Sequence, residues 1–231
     1  MQLDLGSLSS IRRFAEEFKS KGLPLHILIN NAGLMNTPKG TTVDGFETQF
    51  GTNHLGHFLL TNLLLDTMKS SAPAKIINLS SVAYKFGIQT SIYKPNTIPA
   101  KMNWDDLMLD NHYKGFTAYS QSKLANILFT KELARRLEGT DITVNAVHPG
   151  FVTTEIGRHT AGLFLLKPFG WLISRTPDEG AKTTLWVALE AEGTGEYYSN
   201  CKVVALSEAA ENVEDQKRLW EISAKLTSLD E

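Results

Sequence analysis

Four short apolar runs with β-branched content, His26–Ile29, Lys75–Leu79, Ile142–Val147 and Lys202–Leu206, are separated by stretches whose apolar residues recur at helical period. Of all the features in the chain, this alternation restricts the fold most. Strands separated by helix-length segments do not close as tight hairpins; they pair in parallel, with helices crossing over the sheet. The expected fold class is α/β, a doubly wound parallel sheet.

The helices follow from caps and periodicity. The first starts at Ser7 as N-cap, carries Leu8, Ile11, Phe14 and Phe18 on one face, and stops before Gly22. A second is expected from about Val43 to Met68, and a third from Ala118 to Glu138, closed by Gly139. A fourth, Asp178 to Ala191, begins behind Thr176-Pro177 with Leu185, Val187, Ala188 and Leu189 as its apolar members. The last, Val213 to Leu226, carries Trp220 inward. No repeat, low-complexity tract or linker divides the 231 residues, so one domain is expected. Residues 82–117, with Gly87, Pro95, Pro99 and Gly115, read as a long excursion over the surface rather than core. Residues 153–175, with two apolar clusters between Leu163 and Ile173, read as a substrate-binding loop whose plain alternative is burial against the last helix.

Composition excludes several classes. With 23 basic and 25 acidic residues scattered along the chain, no patch suits nucleic acid. Cys201 is the single cysteine and forms no internal disulfide, which points to a reducing, intracellular compartment. The longest apolar stretch, Leu163–Ile173, is broken by Lys167 and Pro168 and falls short of the ~20 residues a bilayer span needs, so no membrane span is expected. The opening Met1–Leu5 carries no signal-peptide pattern, and no metal site is expected.

The chemistry sits in Tyr119-Ser120-Gln121-Ser122-Lys123. On one helix, spacing i to i+4 puts the Tyr119 phenol beside the Lys123 ammonium, a general acid/base for a carbonyl or alcohol. Bringing a phenol from ~10 to neutrality takes ~4 kcal/mol, and a charge at ~5 Å under an effective dielectric of ~20 supplies about 3 kcal/mol. Upstream, Asn30-Asn31-Ala32-Gly33 ends the first strand, where small residues admit a ligand at the carboxyl edge. Asn53 puts a carboxamide on the stripe of Phe46 and Phe50, and Ser80-Ser81 finish the second strand. Taken singly, each has an ordinary structural explanation as a turn residue, a satisfied core polar group or a solvated helix face.

In succession they resemble the short-chain dehydrogenase/reductase family, from Leu3 to the C-terminus: Asp4-Leu5, Asn30–Gly33, Thr52–Gly56, Asn78–Ser81, Tyr119/Lys123 and Pro149-Gly150. Tyr119–Asn126, Phe129–Leu137, Val147–Gly150 and Gly157–His159 look most like its retinol dehydrogenase branch. The resemblance implies a Rossmann-type fold and interconversion of an alcohol and a carbonyl, a retinoid or other lipophilic aldehyde or ketone. The cofactor it implies is nicotinamide, with NADP(H) placed ahead of NAD(H). Tyr119 becomes the acid/base, Lys123 its electrostatic partner and ribose ligand, Ser81 the hydroxyl on the substrate oxygen, and Asn53 the anchor of a proton-relay water. Asp4 and Leu5 lie against the adenine, Asn31, Ala32 and Gly33 against its ribose, and Pro149, Gly150 and Thr154 near the nicotinamide.

Two departures stand out. Thirty-eight positions separate Ser81 from Tyr119, so 82–117 reads as an insertion beside the substrate mouth. The chain also begins where the family's third strand would end, and no GxxxGxG spacing occurs in it. Weak dinucleotide binding and self-association through an unpaired first strand are the expected consequences. The compartment is cytoplasmic or peripheral to the endoplasmic reticulum membrane. A binding-only subunit, catalytically inactive, is the alternative reading.

Overall fold

The structure is a computed structural model, described here for residues 1–86, 101–150 and 176–229. Its centre is a five-stranded sheet in sequence order: β1 (Ile27–Asn30), β2 (Ala74–Leu79), β3 (Ile142–His148), β4 (Tyr197–Ser199) and β5 (Lys202–Val203). The first four run parallel, with Ile27 opposite Lys75, Ala74 opposite Ile142 and Ala146 opposite Tyr197. β5 returns antiparallel to β4. Helices cover both faces, as in Rossmann-type sheets. Ile76 and Val144 pack beneath Phe58, Phe129 and Leu133 on one face, while Ile77, Leu79 and Val147 pack against Val187 and Ala188 on the other.

Helix α1 (Leu8–Ser20) begins on the Ser7 side chain, which accepts from Ser10 N, and buries Ile11 and Ala15 against Leu59, Leu60 and Leu64. The expected second helix starts late. Val43 is 80% exposed and Gly45 has φ +85°, so the chain turns there instead of coiling. Helix α2 (Thr48–Phe50) then starts on the Glu47 carboxylate and passes through a π turn, Gly51–Leu55, into α3 (Gly56–Ser70). Gly56 is required at this junction, since a Cβ there would lie 2.5 Å from the Leu5 carbonyl oxygen.

Helix α4 (Gly115–Arg136) carries Tyr119 and Lys123 and starts three residues earlier than its periodicity suggests. The Thr176–Glu179 capping box opens α5 (Pro177–Leu189). Two of its apolar residues, Leu185 and Leu189, stand exposed rather than in the core. Short α6 (Glu208–Glu211) leads to α7 (Val213–Leu226), whose Trp220 stacks on Phe58 and Phe129.

Two further expectations are corrected. The last parallel strand is Tyr197–Ser199, and the Lys202–Leu206 run supplies only the two-residue antiparallel return, because Asn200 and Cys201 turn the chain at φ 53° and 57°. The described part of the 82–117 segment is not surface excursion alone. Met102 and Leu109 are buried, Trp104 Nε1 donates to Asp215 at 3.0 Å, and Gln121 ties Asn103 and Leu107 to α4. No described helix is long and apolar enough to cross a membrane.

Candidate active site

The carboxyl ends of β1, β2 and β3 share one edge of the sheet, and most of the motif residues among the described residues meet there. Helix α4 crosses beneath it. Lys123, 3% exposed, donates from Nζ to the Leu79 carbonyl at 3.0 Å, the last residue of β2. Asn126, one turn on, donates to the same oxygen at 2.9 Å. Tyr119 lies one turn before, with Lys123 Nζ 5.7 Å from its ring centroid.

The two serines after β2 part ways. Ser80 Oγ is buried and donates to the Lys123 carbonyl at 2.8 Å, a bond that holds the helix to the strand. Ser81 Oγ accepts from Ala83 N at 3.2 Å and lies near enough to the Tyr119 phenol to favour its ionised form.

Asn53, in the π turn, is fully engaged. Its Oδ1 accepts from Leu34 N at 2.7 Å, and its Nδ2 donates to Leu34 O at 2.9 Å and Ser122 Oγ at 3.0 Å. Ser122 in turn donates to Tyr119 O at 2.8 Å. The loop after β1 is thereby fastened to the motif helix. Gly33 fits between, since a Cβ there would lie 3.1 Å from Asn53 Oδ1 and 3.6 Å from Lys123 Nζ. At the end of β3, Gly150 takes φ +90°, a conformation open to glycine, just after Pro149. Thr154, and the apolar stretch from Leu163 to Ile173, lie outside the described residues.

Beside this centre opens a cleft of about 470 Å³ lined by Gln2, Leu3, Asp4, Leu5, Ala32, Gly33, Leu34 and Thr52. It joins Asp4 and Leu5 to Ala32 and Gly33 of the loop after β1. The Asp4 carboxylate accepts from Gly6 N at 2.8 Å, which fixes the turn into α1.

The electrostatics correct the pairing argument. Burial pushes the Tyr119 phenol above its ordinary value, and the Ser81 hydroxyl acts the other way. Burial also lowers Lys123 to about 8. The ammonium is spent on the Leu79 carbonyl, not the phenol oxygen, so desolvation outweighs the attraction that i,i+4 spacing promised.

Sequence reasoning passed over three residues that complete the site: Ser122, Asn126 and His57, which bonds to the Asn53 carbonyl. Each lies three or four positions from a motif residue on the same helix. Helical spacing was the available signal.

Residues 1–94 and 108–161 match the family of short chain dehydrogenases. The chain belongs to that family. It is 47% identical to human retinol dehydrogenase 14 over 99% of this chain and 66% of that protein, so it spans just under two thirds of that relative's length. Human retinol dehydrogenase 12 is also 47% identical, over 99% of the chain and 69% of the relative. Among solved structures, an uncharacterised protein from Mycobacterium Paratuberculosis superposes at a TM-score of 0.75 with 36% identity, covering 99% of this chain and 75% of that one. An NADPH bound carbonyl reductase from chicken fatty liver superposes at 0.61 with 25% identity, covering 88% of this chain and 75% of its own. Within the family, the sequence places this chain in a retinol dehydrogenase-like branch.

Proposed function

We propose that the chain interconverts an alcohol and a carbonyl with a nicotinamide cofactor, using Tyr119 as proton carrier. The observation that supports this most is the convergence of Tyr119, Ser81 and Lys123 at the carboxyl edge of the sheet, with Lys123 Nζ 5.7 Å from the Tyr119 ring centroid. Two hydroxyls there can hold one carbonyl oxygen. Ser81 Oγ accepts from Ala83 N, and its own proton remains to be donated to an oxygen at the site. Because burial holds Tyr119 above its ordinary value, the phenol stays protonated at neutral pH and suits the acid role in carbonyl reduction. The Lys123 ammonium, 5.7 Å from the Tyr119 ring centroid, offsets part of the cost of the phenolate left behind, less than its burial adds. This intact arrangement favours the enzymatic reading over a binding-only one.

The residues fit the cofactor. Gly33 admits a ligand's approach to Lys123 and Asn53, and the cleft at Asp4, Leu5 and Ala32 is wide enough for an adenosine. When bound, the reduced nicotinamide supplies the hydride. Asp4 and Leu5 line the adenine end, Asn31, Ala32 and Gly33 the ribose, and Lys123 reaches the nicotinamide ribose. Pro149 and Gly150 border the nicotinamide, and Thr154, which the family resemblance puts beside them, lies outside the described residues. Asn53 locks the loop to α4 with its carboxamide and anchors the proton relay beside Tyr119, its backbone carbonyl bonded to His57. NADP(H) is placed ahead of NAD(H), supported by the NADPH bound carbonyl reductase and by the Pseudomonas aeruginosa RhlG/NADP active-site complex, 25% identical with a TM-score of 0.62.

The substrate is a lipophilic aldehyde or ketone of retinoid type. The retinol dehydrogenase relatives support this, as does Phe116, 40% exposed with its ring centroid 6.4 Å from that of Tyr119. Apolar surface beside a proton donor favours a long hydrocarbon chain. The test is coenzyme consumption by the full chain at millimolar NADPH or NADH with a polyene aldehyde and a short polar one. Expected is NADPH-dependent reduction with kcat/KM at least about tenfold higher for the polyene. No consumption of either coenzyme with any aldehyde contradicts the reading.

A further inference from the structure

We propose that His57 is a positioning residue of this site, a buried imidazole whose Nδ1 proton holds the Asn53 carbonyl and so fixes the π turn against Lys123. The inference rests on the oxidoreductase reading above and concerns a residue outside its motif. His57 is 4% exposed and lies one turn after Asn53, with Nδ1 3.0 Å from the Asn53 backbone oxygen. A carbonyl only accepts, so the proton resides on Nδ1 and Nε2 keeps its lone pair. Burial, opposed by the Asn53 bond and assisted by the Lys123 charge, lowers the ring to about 4, so it is neutral at physiological pH.

The groups around it are few. Lys123 of α4 is the charged side chain that acts on it, and the neighbouring imidazole, His54, is engaged with Ser223 of α7 at 2.8 Å. In the π turn Gly56 N reaches back to Gly51 O, a wider register than the α-helix on either side. A side-chain donor on a carbonyl of that turn secures a geometry that backbone bonding alone holds poorly. The consequence reaches the chemistry through Asn53. Its carboxamide grips Leu34 and Ser122, and its backbone oxygen is gripped by His57. Asn53 Nδ2 donates at 3.0 Å to Ser122, the residue next to Lys123 on α4, so a shift in Asn53 is carried to the lysine. Replacing the imidazole by hydrocarbon also removes a polar group from the surroundings of a buried ammonium, which lowers the lysine further below about 8.

The experiment compares the full chain with His57→Leu and His57→Asn, whose carboxamide N–H can occupy the place of Nδ1–H. In aldehyde reduction, His57→Leu is expected to lower kcat about tenfold or more with little change in KM, and to move the alkaline limb of the pH profile down by about half a unit. His57→Asn should recover most of both. Two NMR readouts need no turnover. Imidazole ¹⁵N shifts should show the Nδ1–H tautomer, still neutral at pH 6, and the Lys123 ¹³Cε titration should move down in His57→Leu. An Nε2–H tautomer, a ring protonated at pH 6, or a Leu variant with the wild-type lysine titration overturns the proposal. A wild-type chain inactive on every carbonyl counts against the oxidoreductase reading, and the two titrations still decide His57.

Discussion

Lys123 is held where an ammonium is costly, and its burial lowers it to about 8 from an ordinary 10.5. Below about 8 both folded and unfolded chains carry the proton. Between about 8 and 10.5 the unfolded chain retains a proton that the folded chain has released, so stability climbs with pH across that window. At pH 7 the fold therefore carries a penalty of up to about 3 kcal/mol for a residue whose use is chemical. Lys123→Met keeps the stem's packing, and the Leu79 carbonyl keeps its bond from Asn126. The variant is expected to melt higher than wild type at pH 7, with the difference closing as pH approaches 10.5, and to lose turnover. Thermal unfolding across pH checks this, and a variant less stable than wild type at pH 7 contradicts it.

Among the elements, α3 meets the N-terminal turn most closely at Gly56. Alanine there puts a Cβ 2.5 Å from the Leu5 carbonyl oxygen, and neither backbone can yield without moving the Asp4-Leu5 side of the cleft. Gly56→Ala is expected to cost about 1–3 kcal/mol of stability, measured by denaturant unfolding, and to weaken dinucleotide binding in parallel. A variant as stable as wild type would show that the junction relaxes. The elements also mark how far the sequence could be read. β1, β2, β3, α1 and α7 were legible because their periodicity and caps are local, as with Ser7 over α1. The β4–β5 hairpin was not, because its turn uses Asn200 and Cys201 at positive φ, without the glycine that usually announces one. The start of α2 was hidden by apolar Val43, which faces solvent. The docking of residues 101–114 was hidden because Trp104 finds its partner Asp215 on a distant helix. At the candidate site, the meeting of Tyr119, Lys123, Ser81 and Asn53 near one sheet edge was legible from order and spacing. The balance between burial and charge at Tyr119 was not, since desolvation depends on everything packed around a group.

For the molecule as a whole, the sheet edge and the cleft set the expected behaviour in solution. Among the described residues β1 pairs with β2 alone, and Ile27 and Ile29 are 40% and 37% exposed. An apolar strand edge is a template for association, and the 231 residues contain no glycine-rich phosphate turn. Residues 1–231 in isolation are therefore expected to elute from size exclusion as more than a monomer. A clean monomer contradicts this. The central claim, that the Tyr119 phenol carries the proton for carbonyl reduction, has its most direct test in Tyr119→Phe, which keeps the ring and removes only the hydroxyl. With aldehyde and NADPH at saturation, the account predicts turnover reduced at least about a hundredfold with unfolding unchanged. Turnover equal to wild type would contradict it.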